Sequence, residues 1–394
     1  MIRIPYARQS IAEEDIAEVV RILKSDWLTQ GPAAERFEQA VMDHCGAAFA
    51  VAVNSATSAL HLACRALELK PGDSLWTSPM TFVASSNAAL YCGAQVDFVD
   101  IDPRTYNIST SALRDKLSEA RKKGKLPKVV MPVHFGGQSC DMREIGGLAQ
   151  EFGFSVIEDA SHAIGGRYLD GPVGDCRYSS IAVFSFHPVK IVTTAEGGMA
   201  VTNDATLAER IRLLRSHGIT RDASRMIGRS DGPWYYQQIE LGYNYRMTDL
   251  QSALGWSQMG RIDAFISRRR ELAKRYDRML AHLPVVLPWQ SPDSESAYHL
   301  YPIRLNRAHL SRVEVFDRLR EAGIGVNVHY IPVHTQPYYH GLGFRKGDFP
   351  EAERFYDDAL SLPMFYDLRD EDQEYVVNSL REILSNGKSP SRRQ

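Results

Sequence analysis

Apolar residues follow two alternating rhythms through the first two hundred positions of this chain. Seven short runs stand out: AFAVAV (48–53), SLWTSP (74–79), VDFVD (96–100), VVMPVHF (129–135), SVIEDA (155–160), IAVFSF (181–186) and MAVTN (199–203). Runs this short, bounded by polar and turn residues, predict strands buried on both faces. The segments between them space their apolar residues three and four apart, as helices do. Ahead of the first run, Ser10 and Glu13 make an S-x-x-E capping pattern, and Ile16, Val19, Val20 and Leu23 mark one face of a helix. A second amphipathic helix is expected over 33–45. Strands alternating with helices predict an α/β fold, a mostly parallel seven-stranded sheet with helices on both sides.

Past residue 250 the pattern changes. A long charged helix over 259–283 is expected to carry Leu272, Tyr276, Met279, Leu280 and Leu283 on one face. A strand at 299–305, a helix ending at Gly323, a strand at 325–330 and a last helix at 371–385 follow. The expected division is a large α/β domain over 1–255, a smaller α+β C-terminal domain over 256–386, and a disordered tail GKSPSRRQ over 387–394.

Composition narrows the function. The 394 residues are 44% hydrophobic and 24% charged, with a formal charge of −2. No basic face is implied, so nucleic acid is not expected as a partner. No apolar run suggests a membrane span. Cys45, Cys64, Cys92, Cys140 and Cys176 are odd in number and show no CxxC spacing, which argues against a disulfide framework or a metal site. With no signal-peptide pattern in MIRIPYARQS, a reducing, cytoplasmic location is expected.

Chemistry is expected at the carboxyl ends of the strands. NSATSALHLA (54–63) opens a helix with small residues, either a plain N-cap or an anion cradle of free backbone N–H groups. VIEDASHA (156–163) ends a buried strand in Glu158 and Asp159. Either acid caps the next element or holds a positive group, and His162 follows. FSFHPVKIVTTAEGGM (184–199) sets Ser185 and Lys190 just past a strand, with Gly197–Gly198 reading as a tight turn. A lysine near an anion site and an acid suits Schiff-base chemistry, though it is equally a plain ion-pair partner. Together the three sites supply what pyridoxal phosphate needs: an amine for its aldehyde, a carboxylate for its ring nitrogen and a cradle for its phosphate.

The motifs DWLTQGP (26–32), NSATSALHLA, SPMTFVAS (78–85), DIDP (100–103), VIEDASHAIGG (156–166), FSFHPVKIVTTAEGG (184–198), LRSHGI (214–219), LGYNYRMTDLQSALGWSQ (241–258) and VHYIPVH (328–334) together span nearly the whole chain. In them the chain resembles the DegT/DnrJ/EryC1/StrS sugar-nucleotide aminotransferases. The resemblance implies the fold-type I, aspartate-aminotransferase-like architecture and pyridoxal 5′-phosphate as cofactor. It implies Lys190 as covalent anchor and proton shuttle, and Asp159 as partner of the ring nitrogen. Ala56 and Thr57, by their backbone N–H groups, and Ser185, by its hydroxyl, would hold the phosphate. Phe82 would stack on the ring and His162 would lie near its hydroxyl. Asn244 would complete the phosphate site from the neighbouring subunit of a homodimer, and the aromatics of WYYQQ (234–238) with Tyr243 and Tyr245 suit an exposed arm there. Thr29, Gln30 and His329 are expected in the sugar-nucleotide pocket.

LTQGP, NSATSAL, DASHA and RSHGI resemble most the branch that uses glutamate to aminate C4 of a UDP-4-keto-6-deoxy-N-acetylhexosamine in pseudaminic acid biosynthesis. Alternatives are another nucleotide-linked keto sugar, aminated at C3 or C4, and a non-catalytic regulator that binds the cofactor. The family's dehydratases carry histidine where this chain has Lys190. An enzyme confined to amino acids would need an arginine for the α-carboxylate. Arg304, Arg318 and Arg320 lie in no recognisable motif.

Overall fold

The computed structural model describes residues 2–306 and 310–386, and the expected tail over 387–394 lies outside them. Seven strands form the central sheet: β1 (Phe49–Val53), β2 (Ser74–Thr77), β3 (Gln95–Phe98), β4 (Val129–Met131), β5 (Ser155–Asp159), β6 (Ile181–Ser185) and β7 (Gly198–Thr202). Their spatial order is β1-β7-β6-β5-β4-β2-β3. The five strands from β3 to β6 pair in parallel, while β7 runs antiparallel to both β6 and β1. The apolar runs therefore do mark a mostly parallel sheet, with one reversed strand.

Side-chain alternation along each strand divides the core between two faces. Val51 and Val53 pack with Leu60 and Ala63 of α3 (Ala56–Ala66), a face that α4 (Ala84–Tyr91) and α7 (Ala205–Arg215) also cover. Ala50 and Ala52 pack with Phe37 and Val41 of α2 (Ala33–Cys45) on the other face. There α5 (Thr110–Lys123) and α6 (Met142–Phe152) close over Trp76, Val130 and Val156.

The first helix departs from its expected form. α1 (Glu13–Leu23) starts after Ala12, and its capping carboxylate is Asp15, which accepts the Ala12 N–H at 2.9 Å. Ser10 plays no cap; its carbonyl accepts from Gln258 and Arg261. Asp15 is fully buried against Ser257, Gln258 and Arg261, so α1 docks through an acid. Ile16, Val20 and Leu23, on the apolar helix face the spacing marked, stand exposed.

The expected helix over 259–283 is α9 (Ile262–Leu280), preceded across Gly260–Arg261 by a separate helix, α8 (Asp249–Met259). Asp249 caps α2 from a distance, accepting the N–H groups of Gly31 and Ala33 at 2.8 and 2.9 Å. Leu272, Tyr276 and Leu280 of α9 enter a separate core. It includes β9 (Tyr301–Leu305) of the small sheet β8 (Val285–Val286)-β9-β10 (Ala359–Leu362), with α10 (Arg312–Glu321) and α11 (Asp370–Asn386) beside it. Ile4 belongs to this core and bridges Ile324. Residues 325–330 form no strand. Asn327 bridges Ser361 singly, and the chain then turns its side chains into a cavity.

Gly197–Gly198 is not a turn that needs positive φ. Gly198 is required because a Cβ there would lie 2.4 Å from the Ala56 nitrogen and 2.5 Å from the Ser55 carbonyl. Any side chain would push the start of β7 away from the N-terminus of α3. Among the described residues no helix is long and apolar enough to cross a membrane.

Candidate active site

The exits of β1, β2, β5 and β6 open on one cavity of about 570 Å³. Its lining includes Ala56, Thr57, Phe82, Asp159, His162, Ser185, Lys190 and His329, which the sequence singled out from segments far apart in the chain. Thr29, Gln30 and Asn244 do not line it. All three are exposed, with Thr29 bridging Thr248 and Asn244 bridging Ser216.

The mouth of α3 is built to receive an anion. Ser55 caps the helix by accepting the Ser58 N–H at 3.1 Å. The N–H groups of Ala56 and Thr57 have no acceptor among the described residues and line the cavity, at the positive end of the helix. Ser185, at the end of β6, faces the same space.

Asp159 ends β5 and is 5% exposed. Ser85 donates its hydroxyl to Oδ2 at 2.6 Å, the Ser161 N–H reaches Oδ1 at 3.2 Å, and Thr81 stands 2.7 Å behind Ser85. Neighbouring Glu158 is also buried but is held by His134 at 2.8 Å and Ser179 at 2.5 Å, away from the cavity lining. The two acids thus separate into a site group and a structural one, as alternate positions on a strand require.

Lys190 reaches the cavity from the loop after β6, and its amine has no hydrogen-bond or ion-pair partner among the described residues. Burial lowers its pKa to about 8, and the charge of Asp159 partly opposes that shift. Around it are His162, His299 and His329. Burial first, then the charge of Lys190, holds His162 and His299 well below the usual range and His329 at about 3. These three histidines are held neutral, so among them the lysine is the basic nitrogen.

This amine, carboxylate and anion cradle fit pyridoxal phosphate by donor chemistry. Lys190 would take the aldehyde, Asp159 the ring nitrogen, and Ala56, Thr57 and Ser185 the phosphate.

Residues 9–381 match the DegT/DnrJ/EryC1/StrS aminotransferase family. The chain belongs to this family. It is 40% identical over 389 residues to a spore coat polysaccharide biosynthesis protein of Bacillus subtilis, covering 97% of each. It is 38% identical over 385 residues to a UDP-4-amino-4,6-dideoxy-N-acetyl-β-L-altrosamine transaminase of Campylobacter jejuni, again 97% of each. The solved aminotransferase of Helicobacter pylori involved in pseudaminic acid biosynthesis superposes with a TM-score of 0.89 at 30% identity, covering 97% of this chain and 99% of that one. The protein is therefore a sugar aminotransferase of fold type I that depends on pyridoxal 5′-phosphate, the form in which solved neighbours are known.

Several cavity groups were not singled out from sequence. Thr81 sits inside SPMTFVAS, where only Phe82 drew attention, with Ser85 buried behind it on Asp159, and Tyr330 follows His329 in VHYIPVH. Tyr6, His299 and Asn327 carry no local signal at all. The aromatic arm divides: Trp234 and Tyr236 are exposed, whereas Tyr243 and Tyr245 stack on each other at 4.9 Å and pack on His61. Arg304 pairs with Asp358, and Arg318 and Arg320 are exposed on α10, so none of the three reaches the cavity.

The depressed pKa has a direct readout. Below it Lys190 is an ammonium ion, and above it a free nucleophile. In cofactor-free protein, the rate of acetylation at Lys190 by acetic anhydride should rise with a midpoint near pH 8. A midpoint near 10.5, the ordinary lysine value, would contradict a desolvated amine.

Proposed function

We propose that this enzyme moves the amino group of glutamate to C4 of a UDP-linked 4-keto-6-deoxy-N-acetylhexosamine, in pseudaminic acid biosynthesis, as a cytoplasmic homodimer with shared active sites. The observation that carries this reading is the convergence of Lys190, Asp159 and the α3 N-terminus on one cavity, in a chain 38% identical to a transaminase named for such an amino sugar. The pathway of the Helicobacter pylori neighbour supports the same route. The absence of an arginine from the cavity's described lining disfavours an enzyme confined to amino acids.

Bound here, pyridoxal phosphate supplies an electron sink for the carbanion formed when a proton leaves the substrate carbon. Lys190 would hold the cofactor, and its Nζ would move the substrate-carbon proton in both halves of the reaction. Asp159 holds positive charge on the ring nitrogen. The Ala56 and Thr57 amides and the Ser185 hydroxyl would bind its phosphate, Phe82 would stack on its ring, and His162 would lie near the ring hydroxyl. His329 would serve the sugar nucleotide, whereas Thr29 and Gln30 lie outside this cavity. Overall, glutamate and the keto sugar become 2-oxoglutarate and the amino sugar.

The dimer reading rests on exposed apolar residues. Ile11, Ile16, Val20, Leu23, Trp27 and Leu28 follow one another at the N-terminal side, and Trp256 of α8 adds to them. An apolar surface of this extent suits a partner subunit. Asn244, exposed and outside its own cavity, would then complete the partner's phosphate site. A second reading, another nucleotide-linked keto sugar aminated at C3 or C4, is favoured by the Bacillus subtilis relative named for spore coat polysaccharide biosynthesis.

Purified enzyme given glutamate and the UDP-4-keto sugar should release 2-oxoglutarate and a UDP-4-amino sugar in equal amounts, identified by mass and NMR. An amine at C3, or turnover with keto acids alone, would overturn the C4 assignment. The shared site is tested by complementation. Lys190→Ala and Asn244→Ala should each be crippled, the first by ~10³-fold, since general acid–base and covalent roles go together. After subunit exchange the mixture should regain up to about a quarter of the activity, because half of the dimers are mixed and each carries one intact site of two. No recovery despite proven exchange would place Asn244 in the same subunit's site as Lys190.

A further inference from the structure

We propose that Tyr330, rather than His162, is the hydrogen-bond donor that this enzyme presents to the ring oxygen of its cofactor. The inference rests on the cofactor placement above and follows from counting protons on two side chains.

His162 is buried and neutral. A neutral imidazole carries a single N–H. The backbone N–H of Gly136 donates to His162 Nδ1 at 3.3 Å, so the ring's proton lies on Nε2. Nε2 is 3.0 Å from Tyr330 Oη and donates to it. The reverse assignment would set two N–H groups head to head between Gly136 and His162. Both ring nitrogens are therefore engaged within the chain, and His162 has no proton to offer a ligand.

Tyr330 is left with its own O–H. Among the described residues its oxygen has no partner except His162, which already fills one lone pair. A hydroxyl proton facing a ligand cavity is available to an acceptor there, and Tyr330 lines the cavity that holds Lys190 and Asp159. Burial, then the charge of Asp159 and the neighbouring Tyr6, push its pKa up, so the phenol stays protonated as a donor. Its direction is well defined. The ring lies nearly parallel to His162 (6.1 Å, 19°), edge-on to Phe135, and 6.4 Å from Phe82, the residue assigned to the cofactor's ring face. The Tyr330 N–H is tied to Met80 Sδ at 3.2 Å. Gly136, His162 and Tyr330 thus form a one-way donor chain that ends in the cavity.

The test is a pH titration of the visible band of the holoenzyme. The proton of the lysine-bound cofactor lies between the lysine nitrogen and the ring oxygen, and a donor to that oxygen stabilises the deprotonated form. Tyr330→Phe keeps the ring and removes the donor. Its titration midpoint should rise by roughly one to two pH units, the size of one hydrogen bond to a charged oxygen. His162→Asn, which leaves the Tyr330 hydroxyl in place, should move the midpoint less. An unmoved midpoint in Tyr330→Phe with the band intact overturns the proposal, and so does the opposite order of the two variants. A raised KM for the sugar with an unmoved midpoint would assign Tyr330 to the substrate and also overturns it. A wild-type protein with no band that Lys190→Ala abolishes would instead sink the underlying placement of the cofactor.

Discussion

A carboxylate set into the floor of a cavity is the constraint around which this enzyme is arranged. Asp159 is almost wholly removed from water, and an isolated charge there would be costly. Its two oxygens are met by a hydroxyl from the first turn of α4 and an amide from the turn after β5. The Ser85 contact ties the segment that carries Phe82 to the strand that carries Asp159. Lys190 then needs only a short loop after β6 to reach the same space. The sheet supplies the geometry, since parallel strands bring their carboxyl ends, and so these groups, to one edge.

The same cavity separates groups of like chemistry by surroundings. Three histidines near Lys190 are held neutral by burial, and the lysine amine is lowered but not silenced. Glu158 and Asp159, adjacent in sequence, go to different partners. One is locked to His134 and Ser179, and the other faces the ligand space. Electrostatics here comes from which side of β5 a residue occupies, more than from residue type.

Much of this was legible in the sequence, for a physical reason. Strands buried on both faces must be apolar throughout, so the seven runs are readable without context, and the residues just past them fall at the site by topology. Lys190, Asp159 and the α3 opening were found that way. Pairings across the fold were not readable. Ser85 meets Asp159 from 74 residues away, and Tyr330 meets His162 from 168. The 325–330 segment alternates like a strand, yet it finds only a single bridge and bends toward the cavity. The apolar stripe of α1 lies on one helix face as its spacing indicates, yet Ile16, Val20 and Leu23 stand exposed on this chain. Periodicity reports that a face wants burial and does not say which molecule covers it.

The central claim is that one amine, placed beside Asp159 and the α3 N-terminus, carries the cofactor. Borohydride reduction of the holoenzyme followed by peptide mapping measures it directly, because reduction makes the lysine–cofactor bond permanent. The account predicts a single pyridoxyl group, on the peptide that contains Lys190. The same group on any other lysine would contradict it.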